Sequence, residues 1–486
     1  MTDSGTREPS ETPPPLWLAL VLAAMAGGMG WGIRGQYGHE TGAMIAGLLV
    51  GLVLVFLFCP RRTSLGAARA VALVAVGISF GGSMTYGQTV GLTHDGPLIG
   101  NWEALRWGLL GLFIKGGIWI AFAGALLGMG LSGRRYRPTE MLCLFVSLVV
   151  LLFVGVFLIN EPFDPANREL PRFYFSDDWY FEPDNPDVQP RRERWGGLLV
   201  ALLGLTIYLG WIKKDRLARN LAFSGFLAGG LGFPLGQCVQ AYRRWNPEIF
   251  TTGFFADFDP YMNWWNFMEI GFGAVLGAGL ALGLWLNRGL IAQRAIDERP
   301  DLAPGVEWVL IVLHAMALVV WSFLSVRPLD WFADLALTMG IVPIFGIVGG
   351  RLWPYFLALP LLALPIAGKT LRQMSYKTSE IPVSIGWIFL VLVPMALVVV
   401  VALRFLSRAQ RGQDGGAFSR GALIFTTWFY FSINFVFFEL PWPWSVPTFR
   451  TPSAWILVVC ALGLTLGAVL YDRRSAASSR RDRSRG

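Results

Sequence analysis

Along most of the chain, apolar residues run for roughly 20 positions with few breaks, the length needed to cross a hydrocarbon core, and then stop at short polar connectors. Fourteen such runs predict transmembrane helices: Leu16–Ile33, Thr41–Cys59, Ala67–Gly87, Leu105–Leu131, Met141–Ile159, Gly196–Ile212, Leu221–Ala241, Trp265–Leu286, Val306–Val326, Phe332–Gly349, Leu352–Ala367, Pro382–Leu403, Gly421–Phe438 and Ala454–Tyr471. The eleventh is short and holds Pro354, Pro360 and Pro365, so it reads as re-entrant or broken. The expected fold is an all-α polytopic membrane protein of about fourteen helices, with twelve as the fallback.

Composition agrees with that pattern. Of 486 residues 54% are hydrophobic and only 15% charged, against roughly 25% charged in soluble proteins. Soluble multidomain, coiled-coil, disordered and disulfide-stapled classes drop out. Cys59, Cys143, Cys238 and Cys460 lie in or at the ends of apolar runs without metal-ligand spacing, so they are expected to be buried, inert thiols.

The net charge of +8 could suggest nucleic acid, but its placement points to topology. Runs at Arg61/Arg62, Arg134/Arg135/Arg137, Lys213/Lys214/Arg216/Arg219, Arg288/Arg294 and Arg404/Arg408/Arg411 follow even-numbered spans, as does the tail from Arg473 to Arg485. Basic short loops stay cytoplasmic, so both termini are expected there and no nucleic-acid partner is. One loop dissents: Lys369, Arg372 and Lys377 fall on the outer side. Residues 1–15 are acidic and proline-rich, unlike a signal peptide, and residues 472–486 form a basic tail suited to anionic membrane lipid. The expected location is a bacterial cytoplasmic membrane.

Small-xxx-small pairs such as Gly28/Gly32, Gly124/Gly128 and Gly273/Gly277 crowd residues 16–293 and let helices approach closely. A linker over 294–305 separates this glycine-rich core from a second, Val/Leu/Phe-rich bundle over 306–471. Three spans in the core end alike, at Gly27-Gly28…Gly35-Gln36, Gly81-Gly82…Gly87-Gln88 and Gly229-Gly230…Gly236-Gln237. Their partner helices align as well, Trp102–Gly108 with Trp265–Gly271, which puts Glu40, Arg106 and Glu269 at one repeat position. The first eight spans are therefore expected to hold parallel hairpin repeats, a symmetry used by transporters.

Candidate chemistry follows from charges set among apolar residues. Glu40 and Glu269 each suit a helix first turn, or a coupling carboxylate at an outer cavity. Arg106 opposes its helix dipole; Glu103 can offset it, or Arg106 faces Glu40 or Glu269 across the repeat centre. Lys115 lies about 13 Å beyond Arg106 along the helix, too deep to reach water easily, and reads as a binding or coupling group or as the partner of a buried carboxylate. His39 beside Glu40 offers half a metal site, with His94 and His314 the only other histidines; no metal or other cofactor is expected. The outer loops 160–195 and 242–263 combine aromatics with acids, among them Asp177, Asp178 and Asp257, and read as an aromatic belt and cap or a sugar-binding surface.

No nucleotide-binding, zinc-protease, hydrolase-elbow or calcium-loop motif is present. The expected function is a secondary permease for a small polar or anionic solute coupled to H⁺ or Na⁺. Arg34, Gln36, Gln88, Arg106, Lys115 and Gln237 would bind the solute, and Glu40 and Glu269 would couple the ion. The rival expectation is a membrane-embedded glycosyl or acyl transferase acting on a lipid-linked substrate at the outer face. A third is a scaffold subunit with a solid core.

Overall fold

The structure is a computed structural model that describes residues 13–35, 37–176, 180–185, 187–293, 300–324, 326–335, 340–437 and 448–483. Among these no β-strand forms. The helices are α1 Leu16–Arg34, α2 Glu40–Phe58, α3 Ser64–Gly81, α4 Gly87–Gly91, α5 Trp102–Leu131, α6 Pro138–Ile159, α7 Trp195–Ile212, α8 Arg216–Trp245, α9 Gly253–Phe258, α10 Trp264–Leu286, α11 Pro304–Phe323, α12 Arg327–Asp334, α13 Ile341–Gly349, α14 Trp353–Lys377, α15 Val383–Gln410, α16 Gly415–Phe437 and α17 Thr451–Arg483. Among the described residues twelve of them, all but α4, α9, α12, α13 and α16, are long and apolar enough to cross a membrane, α17 through Thr451–Tyr471. The chain is a multi-pass helical membrane protein.

Three of the expected spans look different in the structure. In place of Phe332–Gly349 the described residues form two short helices, α12 and α13. The suspect eleventh span is instead a 25-residue helix, α14, with 94% of its most apolar stretch buried. Pro354 lies in its first turn, where no donor is needed, Pro360 lies in a π-helical turn at Leu357–Leu361, and Pro365 lies in the α-helical stretch that follows, ahead of a second π turn at Arg372–Lys377. The span expected at Gly421–Phe438 is α16, long enough but carrying Ser419, Arg420, Thr426 and Thr427. Cysteine burial is also corrected: Cys59 and Cys460 are buried, but Cys143 and Cys238 are exposed on the outer flanks of their helices.

Six helices of the glycine-rich region form a closed ring in which α1, α2, α3, α5, α8 and α10 each pack on the next and α10 packs on α1. Glycine permits the closest seams. A Cβ on Gly27 of α1 would overlap the carbonyl oxygen of Gly273 on α10, and one on Gly273 would overlap that of Gly27. Gly116 of α5 and Gly229 of α8 stand in the same reciprocal relation. Aromatic rings fill the interior. Trp31 of α1 meets Trp119 of α5 at 5.0 Å, and because α1 and α5 are not neighbours this contact crosses the ring. Phe272 of α10 lies 4.5 Å from Trp31 and stacks on Phe233 of α8 at 4.3 Å.

The second bundle packs directly on this ring: α16 covers α2 and α3, α17 lies on α1, and α14 touches α3. Enclosed on every side, α2 is buried throughout its apolar stretch, which suits a helix apolar all round. One apolar core runs through both parts.

Connectors meet at two opposite ends. At one, Gly415 N donates to Arg62 O (2.6 Å), Ala292 N to Leu131 O (3.0 Å), Ser132 Oγ to Asp215 (2.6 Å) and Asp301 N to Gly349 O (2.8 Å). Buried Glu307 accepts from the backbone N–H groups of Arg351, Leu352 and Trp353 there, capping α14. At the other end lie the bend between α1 and α2, the segment 82–101 and the long loops after α6 and α8.

The glycine seams make a direct prediction. Gly229→Ala and Gly273→Ala should each lower stability by about 1–3 kcal/mol, the ordinary cost of overpacking. Gly289→Ala and Gly305→Ala, which meet open space, should be neutral. Thermal unfolding of detergent-purified protein followed by size-exclusion chromatography reads the difference.

Candidate functional site

The polar groups of the ring gather at the second end around the segment 82–101, which dips into the ring's mouth like a plug. α3 ends at the Gly81-Gly82 pair, where a side chain would strike Trp119. The chain then turns inward through Tyr86, the short helix α4, Thr93 and His94.

Arg34 closes α1 and is 4% exposed. Its guanidinium donates to the Tyr86 hydroxyl and, at 3.1 Å, to Glu269 Oε1. The Tyr86 hydroxyl in turn donates to Glu269 Oε1 at 3.2 Å. Burial holds the Tyr86 phenol up at about 12, so it stays neutral and serves as a donor. Three rings surround the cation, with its carbon 5.2 Å from the centre of Trp31, 5.0 Å from Tyr86 and 5.3 Å from Trp119. Such faces favour a desolvated guanidinium. Asn266, one helical turn before Glu269, donates to Gly32 O at 2.7 Å and fixes α10 against α1.

Three residues further along the plug, Thr89 meets the second buried charge. Lys115 Nζ donates to Thr89 Oγ1 at 2.7 Å and Ser176 Oγ at 3.3 Å, and pairs with Glu193 at 2.7 Å. An ammonium has three protons, and all three have acceptors. Glu193 is equally satisfied, accepting from Ser176 Oγ, Phe175 N and Trp195 Nε1 as well. Both residues are buried. This is a saturated ion pair that leaves Lys115 no donor for a solute.

Gln237 donates to Thr93 Oγ1 at 2.7 Å, and Trp245 Nε1 to Thr93 O at 2.9 Å, so α8 grips the plug as well. Gln88 is half-buried and donates to Gln189 O at 2.9 Å, tying plug to outer loop. Arg106 is exposed and takes no part in either pair. Gln36, Asp177 and Asp178 lie outside the described residues, as does the side chain of His39.

Glu40 lies elsewhere, in the wall of a polar cavity of about 380 Å³ between the ring and the second bundle. Tyr37, Glu40 and Thr41 line one side; Ser322, Asp330, Lys369 and Arg372 line the other. The bend from Gly35 to Gly42 joins this cavity to the Arg34 pair. A side chain at Gly35 would strike the Glu269 carboxylate, and one at Gly42 would strike Arg34. Across the seam Tyr37 and Thr370 share a hydrogen bond of 3.2 Å between their hydroxyls. Burial pushes the Tyr37 phenol well above its ordinary value.

The expected site residues thus fall into separate groups. Arg34 and Glu269 meet; Lys115 and Gln237 join them only through the plug; Glu40 faces the seam. Tyr86, Glu193, Asp330, Lys369 and Arg372 did not stand out as site residues in the sequence. Glu193 lies in Arg191-Arg192-Glu193-Arg194, which reads as solvated loop, and only the demand of Lys115 for a counter-charge hints at it. No family model, curated protein or solved structure matches the chain.

The Lys115 pair can be tested as a pair. Lys115→Ala leaves Glu193 buried and uncompensated and should cost about 3–5 kcal/mol, whereas replacing both partners with apolar or neutral groups is often near neutral. Lys115→Met with Glu193→Gln should therefore unfold at a higher temperature than either single variant. A double variant no more stable than the singles would refute this account.

Proposed function

We propose that the chain is a secondary permease of the bacterial cytoplasmic membrane, carrying a small polar solute that includes an anionic group and coupled to H⁺ or Na⁺. The observation that carries this reading is the cavity between ring and second bundle, which sets two cations, Lys369 and Arg372, against two carboxylates, Glu40 and Asp330. Its volume of about 380 Å³ is that of a small-molecule site. Lys369 and Arg372 are suited to the solute's anionic group, and Glu40 to the coupling ion. Arg34 and Glu269, one bend away, sense the occupancy of Glu40 through the backbone of Gly35–Gly42.

The architecture supports a division into fixed and moving parts. In this reading the ring comprises three parallel hairpins, α1–α2, α3–α5 and α8–α10, each packing its second helix on the first helix of the next. Glycine seams make it stiff. The wall of the cavity on the other side includes α14, whose prolines and π turns are the usual places for a helix to bend. Rocking of α14 and its neighbours against the ring would alternate access to the cavity. The charge pattern supports the reading as well: in it the end that bears Arg61, Arg134, Lys214, Arg288 and Arg411 is cytoplasmic under the positive-inside rule, and both termini lie on that side.

Uptake into proteoliposomes tests the reading with a panel of labelled amino acids, carboxylates and phosphorylated metabolites under imposed proton and sodium gradients. At least one solute should be accumulated. Lys369→Ala should reduce that uptake by about tenfold or more, the worth of one charge-assisted contact. Glu40→Gln should permit exchange but abolish gradient-driven accumulation. Wild-type accumulation by both variants, with normal insertion, would sink the proposal.

A further inference from the structure

A second cavity, far from the seam, points to a lipid. A groove of about 670 Å³ runs between α5, α7 and α8. Leu199, Leu202, Leu203, Phe223 and Phe226 give it apolar walls. Leu203 and Phe223 are exposed, so the groove faces outward from the bundle, where hydrocarbon lies. Arg219, Asn220 and Asn287 also line it, while the hydroxyls of Thr206 and Ser224 are spent on carbonyls of their own helices. Asn220 Nδ2 donates to Asn287 Oδ1 at 2.7 Å.

Arg219 is the informative residue. It lies three positions after the first residue of α8, about 5 Å along the helix, at the basic end of the molecule. Its hydrogen bonds go to the amide oxygen of neighbouring Asn220, at 3.3 and 3.2 Å, rather than to a carboxylate. Arg216 beside it is exposed as well. A guanidinium at the headgroup level, above an apolar trough that continues into the hydrocarbon region, matches the two halves of a phospholipid with net negative charge. Basic pockets between helices on the cytoplasmic side commonly recognise such headgroups.

We propose that this groove binds one anionic phospholipid, with an acyl chain along Leu199, Leu203 and Phe223 and its phosphate against Arg219. The amides of Asn220 and Asn287 then serve the glycerol and ester oxygens. Binding here braces α7 against α5 and α8. The site is independent of what the seam cavity carries.

Native mass spectrometry of the full-length protein in detergent tests this, with phosphatidylglycerol, phosphatidylcholine and inorganic phosphate titrated separately. Phosphatidylglycerol should bind about fivefold or more tightly than phosphatidylcholine, the expected worth of one basic contact. Arg219→Gln should erase that preference, and Arg219→Lys should keep most of it. Leu203→Trp, which fills the trough from an exposed position, should weaken both lipids, while Phe157→Trp on another exposed face should change nothing. Equal affinity for the two lipids, retention unaffected by Leu203→Trp, or inorganic phosphate binding as tightly as phosphatidylglycerol would each overturn the proposal. Because Leu203→Trp and Arg219→Gln report separately, misfolding of one leaves the other as a test.

Discussion

An ammonium group that cannot reach water has to find its counter-charge inside the protein, and for Lys115 that charge is supplied by a loop. Glu193 meets it at 2.7 Å, and the same carboxylate holds Ser176 and the backbone of Phe175. The long segment after α6 is thereby anchored on the ring. The lysine's remaining protons take hold of Thr89 and Ser176, and Thr89 places the plug. With the plug in place Tyr86 reaches Arg34 and Glu269. The two buried ion pairs share no atom, yet one segment of chain positions both.

Close packing decides where such charges are tolerated. In the glycine seams backbone lies against backbone, and aromatic rings fill what remains of the ring's interior. Charge is confined to the mouth, where the plug supplies hydroxyls and carbonyls that bulk water would otherwise provide. A buried charge is costly unless its hydrogen bonds are complete, and Lys115 and Glu193 complete theirs. The seam cavity is different in kind. Glu40, Asp330, Lys369 and Arg372 line its open space.

Much of the architecture was legible in the sequence because hydrocarbon imposes a length and an apolar composition on any helix that crosses it. The spans up to α11 and the glycine-rich region follow from that constraint alone. α14 was harder, since its prolines suggested a break; the helix instead runs on through them, buried, with one of them inside a π turn. The site was less legible for a different reason. Arg34, Lys115 and Glu269 stood out as charges among apolar residues, but pairing depends on loops whose path no periodicity encodes. Glu193 sits among arginines and looks solvated, and Tyr86 sits in a glycine-rich turn. Arg106, equally conspicuous in the sequence, is exposed and pairs with nothing in the site.

The basic loop that disagreed with the charge pattern now has a physical account. Topology signals are cations free to stay with the cytoplasm. Lys369 and Arg372 instead line a cavity together with Glu40 and Asp330. Their position therefore carries no information about sidedness, and the other basic loops, gathered at one end by the contacts around Arg62, Asp215 and Gly349, agree with one another. Two of the residues that break the charge pattern of the other loops, Lys369 and Arg372, are thus ones that line the cavity between ring and second bundle.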